Sequence, residues 1–251
     1  MCYDDNARPP VPDDAHGSAH TEAMILTAKD GNEFAAFLAL PDRPADAAVL
    51  ILPDIRGLHQ FYQELAARFA EIGMAALAFD YFGRSAGLTP RDDSFDFWPH
   101  VQQTQPAHIA ADVQASLAAL HERSGVEAPT FTVGFCFGGT NSFLCGTRDL
   151  GLAGVVGFYA GLTRDWGGGT LLDRAHTIHV PALGLFGGAD QGIPVAEVGE
   201  FDRRLDEAGV EHEVVVYDGA PHSFFDRRAV EFADASADAW TRVRAFIARY
   251  S

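Results

Sequence analysis

The segment Gly134-Phe135-Cys136-Phe137-Gly138-Gly139 sets a thiol between glycines, where one local pattern ends and another begins. Ahead of it, Thr130-Phe131-Thr132-Val133 is rich in β-branched and aromatic residues; behind it, Asn141, Phe143 and Leu144 continue a helical pattern. A nucleophile on a sharp strand-to-helix turn sits in strained backbone, and side chains two positions away on either side would collide there. Gly134 and Gly138 remove those side chains. The following helix directs N–H groups and the positive end of its dipole at the sulfur, which lowers the cost of a thiolate. Cys136 is therefore the candidate nucleophile for a carbonyl carbon, and the Phe137 N–H a candidate oxyanion donor.

Such a thiol needs a base, and the base needs an orienting acid. Both follow later strand-like runs. After Ala182-Leu183-Gly184-Leu185-Phe186 comes Gly187-Gly188-Ala189-Asp190; after Val214-Val215-Val216-Tyr217 comes Asp218-Gly219-Ala220-Pro221-His222-Ser223-Phe224. Nucleophile, acid, histidine is the chain order of an α/β-hydrolase. His222 would relay the proton and Asp190 would fix its tautomer. Taken alone, Asp190 could cap a helix entering at Ile193-Pro194, and Cys145 reads as a small core hydrophobe. His176 and His179 resemble a metal pair, but the segment runs into Val180-Pro181-Ala182 with no third ligand nearby, so no metal and no cofactor is expected. The glycine pairs lack the lysine or spacing of a phosphate loop.

The elements that must hold these residues alternate along the chain. Strands are expected at Met24–Ala28, Phe34–Leu40, Ala47–Leu52, Ala75–Phe79, Thr130–Phe135, Gly154–Tyr159, Ala182–Phe186 and Glu213–Tyr217. Most are continuous apolar runs, as in a sheet covered on both faces. Amphipathic helices lie between them, one carrying Ile109, Val113, Leu117 and Leu120, the last carrying Trp240, Val243, Phe246 and Ile247. The expected fold is α/β: a mainly parallel sheet of about eight strands with helices on both faces. Asp30-Gly31 makes the first two strands an antiparallel hairpin. Residues 1–22 read as a flexible polar tail and 23–251 as one domain. The stretch Gly161 to Thr177 is too short for a separate cap domain. Phe95 and Trp98, in an aperiodic stretch after Arg84, are a candidate pocket wall.

From Met24 to Tyr250 the chain resembles the dienelactone hydrolase (carboxymethylenebutenolidase) family of α/β-hydrolases, which use a Cys–Asp–His triad. The matching segments are Pro53-Asp54-Ile55-Arg56-Gly57, Phe79-Asp80-Tyr81-Phe82-Gly83-Arg84, the Cys136 elbow, Gly187-Gly188-Ala189-Asp190 and Pro221-His222-Ser223-Phe224. The resemblance implies that Asp54 stands where a glutamate touches the resting thiol and takes its proton. It also implies that the Ile55 N–H completes the oxyanion hole and that Arg84 grips a substrate carboxylate; Phe224, two residues after His222, is a further candidate substrate contact. Two positions depart from the family: Asp54 is one methylene shorter, and Asp226 replaces an arginine expected four residues after the histidine, with Arg227 and Arg228 beyond it. The implied activity is hydrolysis of a lactone or small carboxylic ester through a covalent acyl-enzyme. A broad carboxylesterase or thioesterase without a carboxylate requirement is the alternative, and a non-catalytic ligand-binding scaffold a further one.

Composition sets the outer limits. A net charge of −17, from 18 basic and 35 acidic residues, repels phosphate backbones, so no nucleic-acid partner is expected. The apolar runs are strand-sized, which excludes a membrane span, and the polar start has no export signal. Cys2 lacks the apolar stretch that precedes a lipidated cysteine. Three cysteines make no disulfide framework, and a reducing cytoplasm is the expected compartment. Oligomeric state is not legible.

Overall fold

Continuous apolar runs with no polar face can only be satisfied by a sheet covered on both sides. The computed structural model, which describes residues 6–12, 15, 17–125, 128–165 and 167–251, contains such a sheet. Its eight strands are β1 (Ala19–Thr27), β2 (Glu33–Pro41), β3 (Ala47–Leu52), β4 (Met74–Phe79), β5 (Thr130–Phe135), β6 (Gly154–Phe158), β7 (Ala182–Gly187) and β8 (His212–Tyr217). Their order is β1-β2-β4-β3-β5-β6-β7-β8. β1 and β2 form an antiparallel hairpin, β2 pairs antiparallel with β4, and every pair from β4 to β8 is parallel. All residues of β3, β4, β5, β6 and β7 are buried.

Eight helices connect or flank the strands: α1 (Gln60–Glu71), α2 (Gly83–Ala86), α3 (Trp98–Val101), α4 (Pro106–Ser124), α5 (Phe137–Cys145), α6 (Leu171–Arg174), α7 (Val195–Ala208) and α8 (Ala233–Tyr250). α1 starts where the His59 ring accepts the Phe61 N–H, and it buries Phe61, Tyr62, Leu65 and Phe69. Its Phe69 ring meets Trp240 of α8 at 4.9 Å. α5 and α7 join through Phe143 and Phe201, 5.0 Å apart. None of the described helices is long and apolar enough to cross a membrane.

Two features position a site. Between β3 and β5 the strand order reverses, and in parallel sheets the crevice beyond the carboxyl ends of such strands is where ligands bind. Leu52 pairs with Gly134, so the loops after β3 and β5 leave the sheet side by side. At the far side, Gly187 pairs with Tyr217, and the loops after β7 and β8 are laced by Gly188 N–H to Tyr217 O (2.7 Å) and Ala189 N–H to Ala220 O (2.9 Å).

The start of the chain departs from the expected tail. β1 begins at Ala19, ahead of the boundary at residue 22. The Trp240 indole donates to Pro10 O at 2.9 Å, and Gly17 N–H donates to Glu71 O at 3.0 Å. These ties draw the segment across α8 and α1. Cys2 lies outside the described residues.

Candidate active site

The turn between β5 and α5 carries Cys136 at φ 54° and ψ −112°, left-handed backbone that a cysteine adopts only when its surroundings impose it. Those surroundings leave no room for side chains at the flanking glycines. A Cβ on Gly134 would lie 2.0 Å from Gly138 O, and one on Gly138 would lie 2.0 Å from Leu52 O and 2.2 Å from Pro53 O. The elbow is thus wedged against the end of β3. Cys136 is half-buried and lines a cavity of about 700 Å³, shared with Ile55, Asp190, His222, Ser223, Arg227 and Arg228.

His222 leaves the β8 loop and donates from Nδ1 to Asp190 Oδ2 at 2.6 Å. A carboxylate only accepts, so the proton sits on Nδ1 and Nε2 is the basic nitrogen. Asp190 is buried and is steadied from its other oxygen by the Gly192 N–H at 2.8 Å. Among the described residues the Cys136 thiol forms no hydrogen bond, either to His222 or to Asp54. Such contacts are commonly long in unliganded enzymes and close around substrate.

Asp54 is fully buried, and its Oδ1 accepts the Arg56 N–H at 2.8 Å. That bond folds the loop bearing Ile55, and the loop is held from beneath by Asp80. The Asp80 carboxylate accepts the N–H groups of Leu58 (3.2 Å) and Phe82 (2.9 Å) and pairs with the buried Arg91 guanidinium. The Asp54 carboxylate is thus built into the loop that carries Ile55. Phe137 opens α5 directly after Cys136, where helix N–H groups have no acceptor within the helix. Its buried ring meets Tyr81, whose hydroxyl donates to Pro53 O at 2.9 Å.

Four expected substrate contacts lie elsewhere. Arg84 forks onto Asp30 (Nη2 at 2.7 Å, Nε at 3.2 Å) and also pairs with the buried Asp112. It lines a separate polar cavity of about 360 Å³ with Tyr81, Ser85 and His100, not the cavity beside Cys136 where a carboxylate grip was expected of it. Its two acids come from the β1–β2 turn and from α4, remote in sequence. Phe95 stacks on His100 at 5.1 Å and under Arg91, and Trp98 lies beside Phe97 and Arg164; neither lines the cavity. Phe224 is fully buried against Phe158, Tyr159 and Tyr217, so it supports the loop from inside.

Tyr159, Ser223 and Arg227, to which the sequence assigns no role, stand out in the structure. Tyr159 and Ser223, with Cys136, are the non-glycine residues of positive φ among the described residues (36° and 63°); Cys136 and Ser223 line this cavity, and the buried Tyr159 ring packs on His222 at 4.8 Å. Nothing in residue type signals such backbone. Arg227 is exposed, lines the cavity and forms no ion pair among the described residues, whereas Arg228 pairs with Glu231. Asp226 points inward: it is buried and its Oδ2 accepts the Tyr159 hydroxyl at 2.7 Å. Burial above all, aided by the charge of Asp54, pushes its carboxyl up to about 8. Burial likewise pushes the Cys145 thiol up to about 12, which marks it as a core residue. The described grouping with metal-ligand spacing is Asp202, Asp206 and His212, at the opposite end of β8 from His222; it includes neither His176 nor His179.

An elbow at the end of a central strand, with an acid and a histidine on the loops after two later strands, defines an α/β-hydrolase. The chain belongs to the dienelactone hydrolase family, whose model matches residues 34–251; its members are hydrolases acting on ester bonds. It is 28% identical to a protein of Methylorubrum extorquens named "Putative carboxymethylenebutenolidase", over 97% of this chain and 86% of the relative. A Synechocystis protein of the same name is 29% identical over 89% of this chain and 95% of its own length. The crystal structure of a "Putative Dienelactone Hydrolase" from Klebsiella pneumoniae superposes with a TM-score of 0.80 at 25% identity, covering 92% of this chain and all of that one.

Proposed function

We propose that the chain is a cysteine hydrolase of small carboxylic esters or lactones, with Cys136 as nucleophile, His222 as proton carrier and Asp190 as its orienting acid. The Cys136 thiol passes its proton to Nε2 of His222 as sulfur bonds to the carbonyl carbon. Negative charge on the carbonyl oxygen is met by the N–H groups of Ile55 and Phe137. The C–O bond then breaks, the leaving alkoxide takes the proton from His222, and a thioester remains. Water, deprotonated by His222, cleaves the thioester, and the proton returns to sulfur. In a lactone the leaving alcohol stays tethered to the acyl group.

The observation carrying this reading is that a strained cysteine and a histidine already bonded to a buried aspartate line one cavity. Asp54 enters as the residue that shapes the oxyanion loop rather than as the acceptor of the thiol proton. The commitment of Arg84 to Asp30 and Asp112 favours a site with no carboxylate requirement at that position; an anionic group on a substrate would instead meet Arg227. A working thiol needs a reducing compartment, so this reading assigns the cytoplasm. Small neutral or singly charged molecules are its expected partners.

Replacing Cys136 by Ala is expected to lower turnover of an activated aryl ester by about 10³-fold or more with the fold intact. Wild-type rates in that variant would remove Cys136 from the reaction.

A further inference from the structure

His222 is about one-third exposed on a loop, so the orientation of its ring depends on the groups packed against it. Asp190 holds one edge of it. The Tyr159 ring lies against its face, with centroids 4.8 Å apart at an interplanar angle of 53°. Tyr159 is fully buried and sits at φ 36°, a conformation costly for a bulky residue, so something must hold it there. Two bonds do: its N–H donates to Leu185 O at 2.8 Å, and its hydroxyl donates to Asp226 Oδ2 at 2.7 Å. Asp226 belongs to the same turn as His222, because its own N–H and that of Arg228 both donate to Ser223 O. The Tyr159–Asp226 bond therefore ties the turn that carries His222 to the end of β6, between the strands that deliver Cys136 and Asp190.

We infer that Tyr159 and Asp226 are positioning residues for this chain's reaction, a second brace that fixes the His222 imidazole from its face while Asp190 fixes it from its edge. The inference rests on the reading of His222 as proton carrier. An acid at position 226 then has a task unrelated to substrate charge. Turned inward, it accepts the one hydroxyl able to keep a strained tyrosine beneath the imidazole. Loss of that bond lets Tyr159 relax toward ordinary backbone and withdraws the face of the brace, which slows proton transfer without altering the cavity that admits substrate.

The test uses the full chain and 4-nitrophenyl acetate, with Cys136→Ala as control. Tyr159→Phe and Asp226→Ala are each expected to lower kcat about tenfold, with KM held within about twofold. Because both cut the same bond, the double variant is expected to be no worse than the worse single one. Asp226→Asn keeps an acceptor for the hydroxyl and is expected to recover most of the rate lost in Asp226→Ala. Losses that multiply, losses expressed in KM, or kcat unchanged in Tyr159→Phe would overturn the brace. Should Asp226→Ala fail to fold, Tyr159→Phe and Asp226→Asn decide. A control that keeps its activity would count against the hydrolase reading and leave the brace to a readout that needs no turnover. That readout is the NMR signal of the His222 Nδ1 proton, expected to broaden in Tyr159→Phe and to persist in Asp226→Asn; an unchanged signal in Tyr159→Phe overturns the inference.

Discussion

Two arginines differ in what surrounds them: Arg84 is held by two acids, and Arg227 lines the cavity of Cys136. Arg84 follows β4 and was expected to hold substrate, yet Asp30 and Asp112 absorb all of its forked donors. Burial holds the Asp112 carboxyl above its usual range even with Arg84 beside it, so removing the guanidinium would strand an acid in the core. Arg84→Ala is expected to cost about 2–4 kcal/mol of stability and to leave KM alike for neutral and carboxylate-bearing esters. Urea melts and a paired substrate panel check both halves; a selective rise in KM for the carboxylate-bearing ester would restore Arg84 to the substrate. Arg227→Ala is expected to do the reverse, raising KM for the anionic ester several-fold, roughly what one charge-assisted contact supplies, with stability unchanged within about 0.5 kcal/mol. Equal KM values in that variant would mean that Arg227 does not contact the anionic group.

At the scale of elements, the elbow depends on two backbones meeting where only glycine fits. Gly138→Ala would bring a methyl to 2.0 Å from Leu52 O, and backbone cannot step aside as a side chain can. The expected result is loss of more than about 2 kcal/mol together with most ester turnover; a variant as stable and active as wild type would show that the β3 and β5 loops can part. The strands that meet there were legible because burial on both faces leaves continuous apolar runs, as in Ala47–Leu52 and Thr130–Phe135. β1 was legible only in part: its first residues, Ala19-His20-Thr21-Glu22, lie on an edge strand and carry no apolar pattern. The tie from Trp240 to Pro10 joins residues at opposite ends of the chain, a tertiary contact that local composition does not signal. Cys136, Asp190 and His222 were singled out by glycine spacing and chain order, and the fold brings all three to one cavity. The positive φ of Tyr159 has no signature in residue type, and the pairing of Arg84 with Asp30 and Asp112 joins residues remote in sequence.

For the molecule as a whole, the brace has a cost that depends on pH. Asp226 titrates near 8 in the folded chain and near 4 once unfolded. Between those values the folded state holds a proton that the unfolded state has lost, so this group's contribution is complete below about pH 4 and declines as pH rises toward 8. Asp226→Asn lacks that slope. Its melting temperature relative to wild type is expected to improve steadily from pH 5 to pH 8, a trend that thermal melts in matched buffers will follow; parallel curves would mean that Asp226 is ionised across the range.

The central claim, a covalent acyl group on Cys136, is tested most directly by intact mass and peptide mapping of the full chain quenched during turnover of an activated ester whose acyl group departs slowly. The expected result is a mass gain equal to one acyl group, confined to the peptide containing Cys136, lost on standing and absent in Cys136→Ala. Turnover accompanied by acylation at another residue, or continuing undiminished in Cys136→Ala, would contradict it.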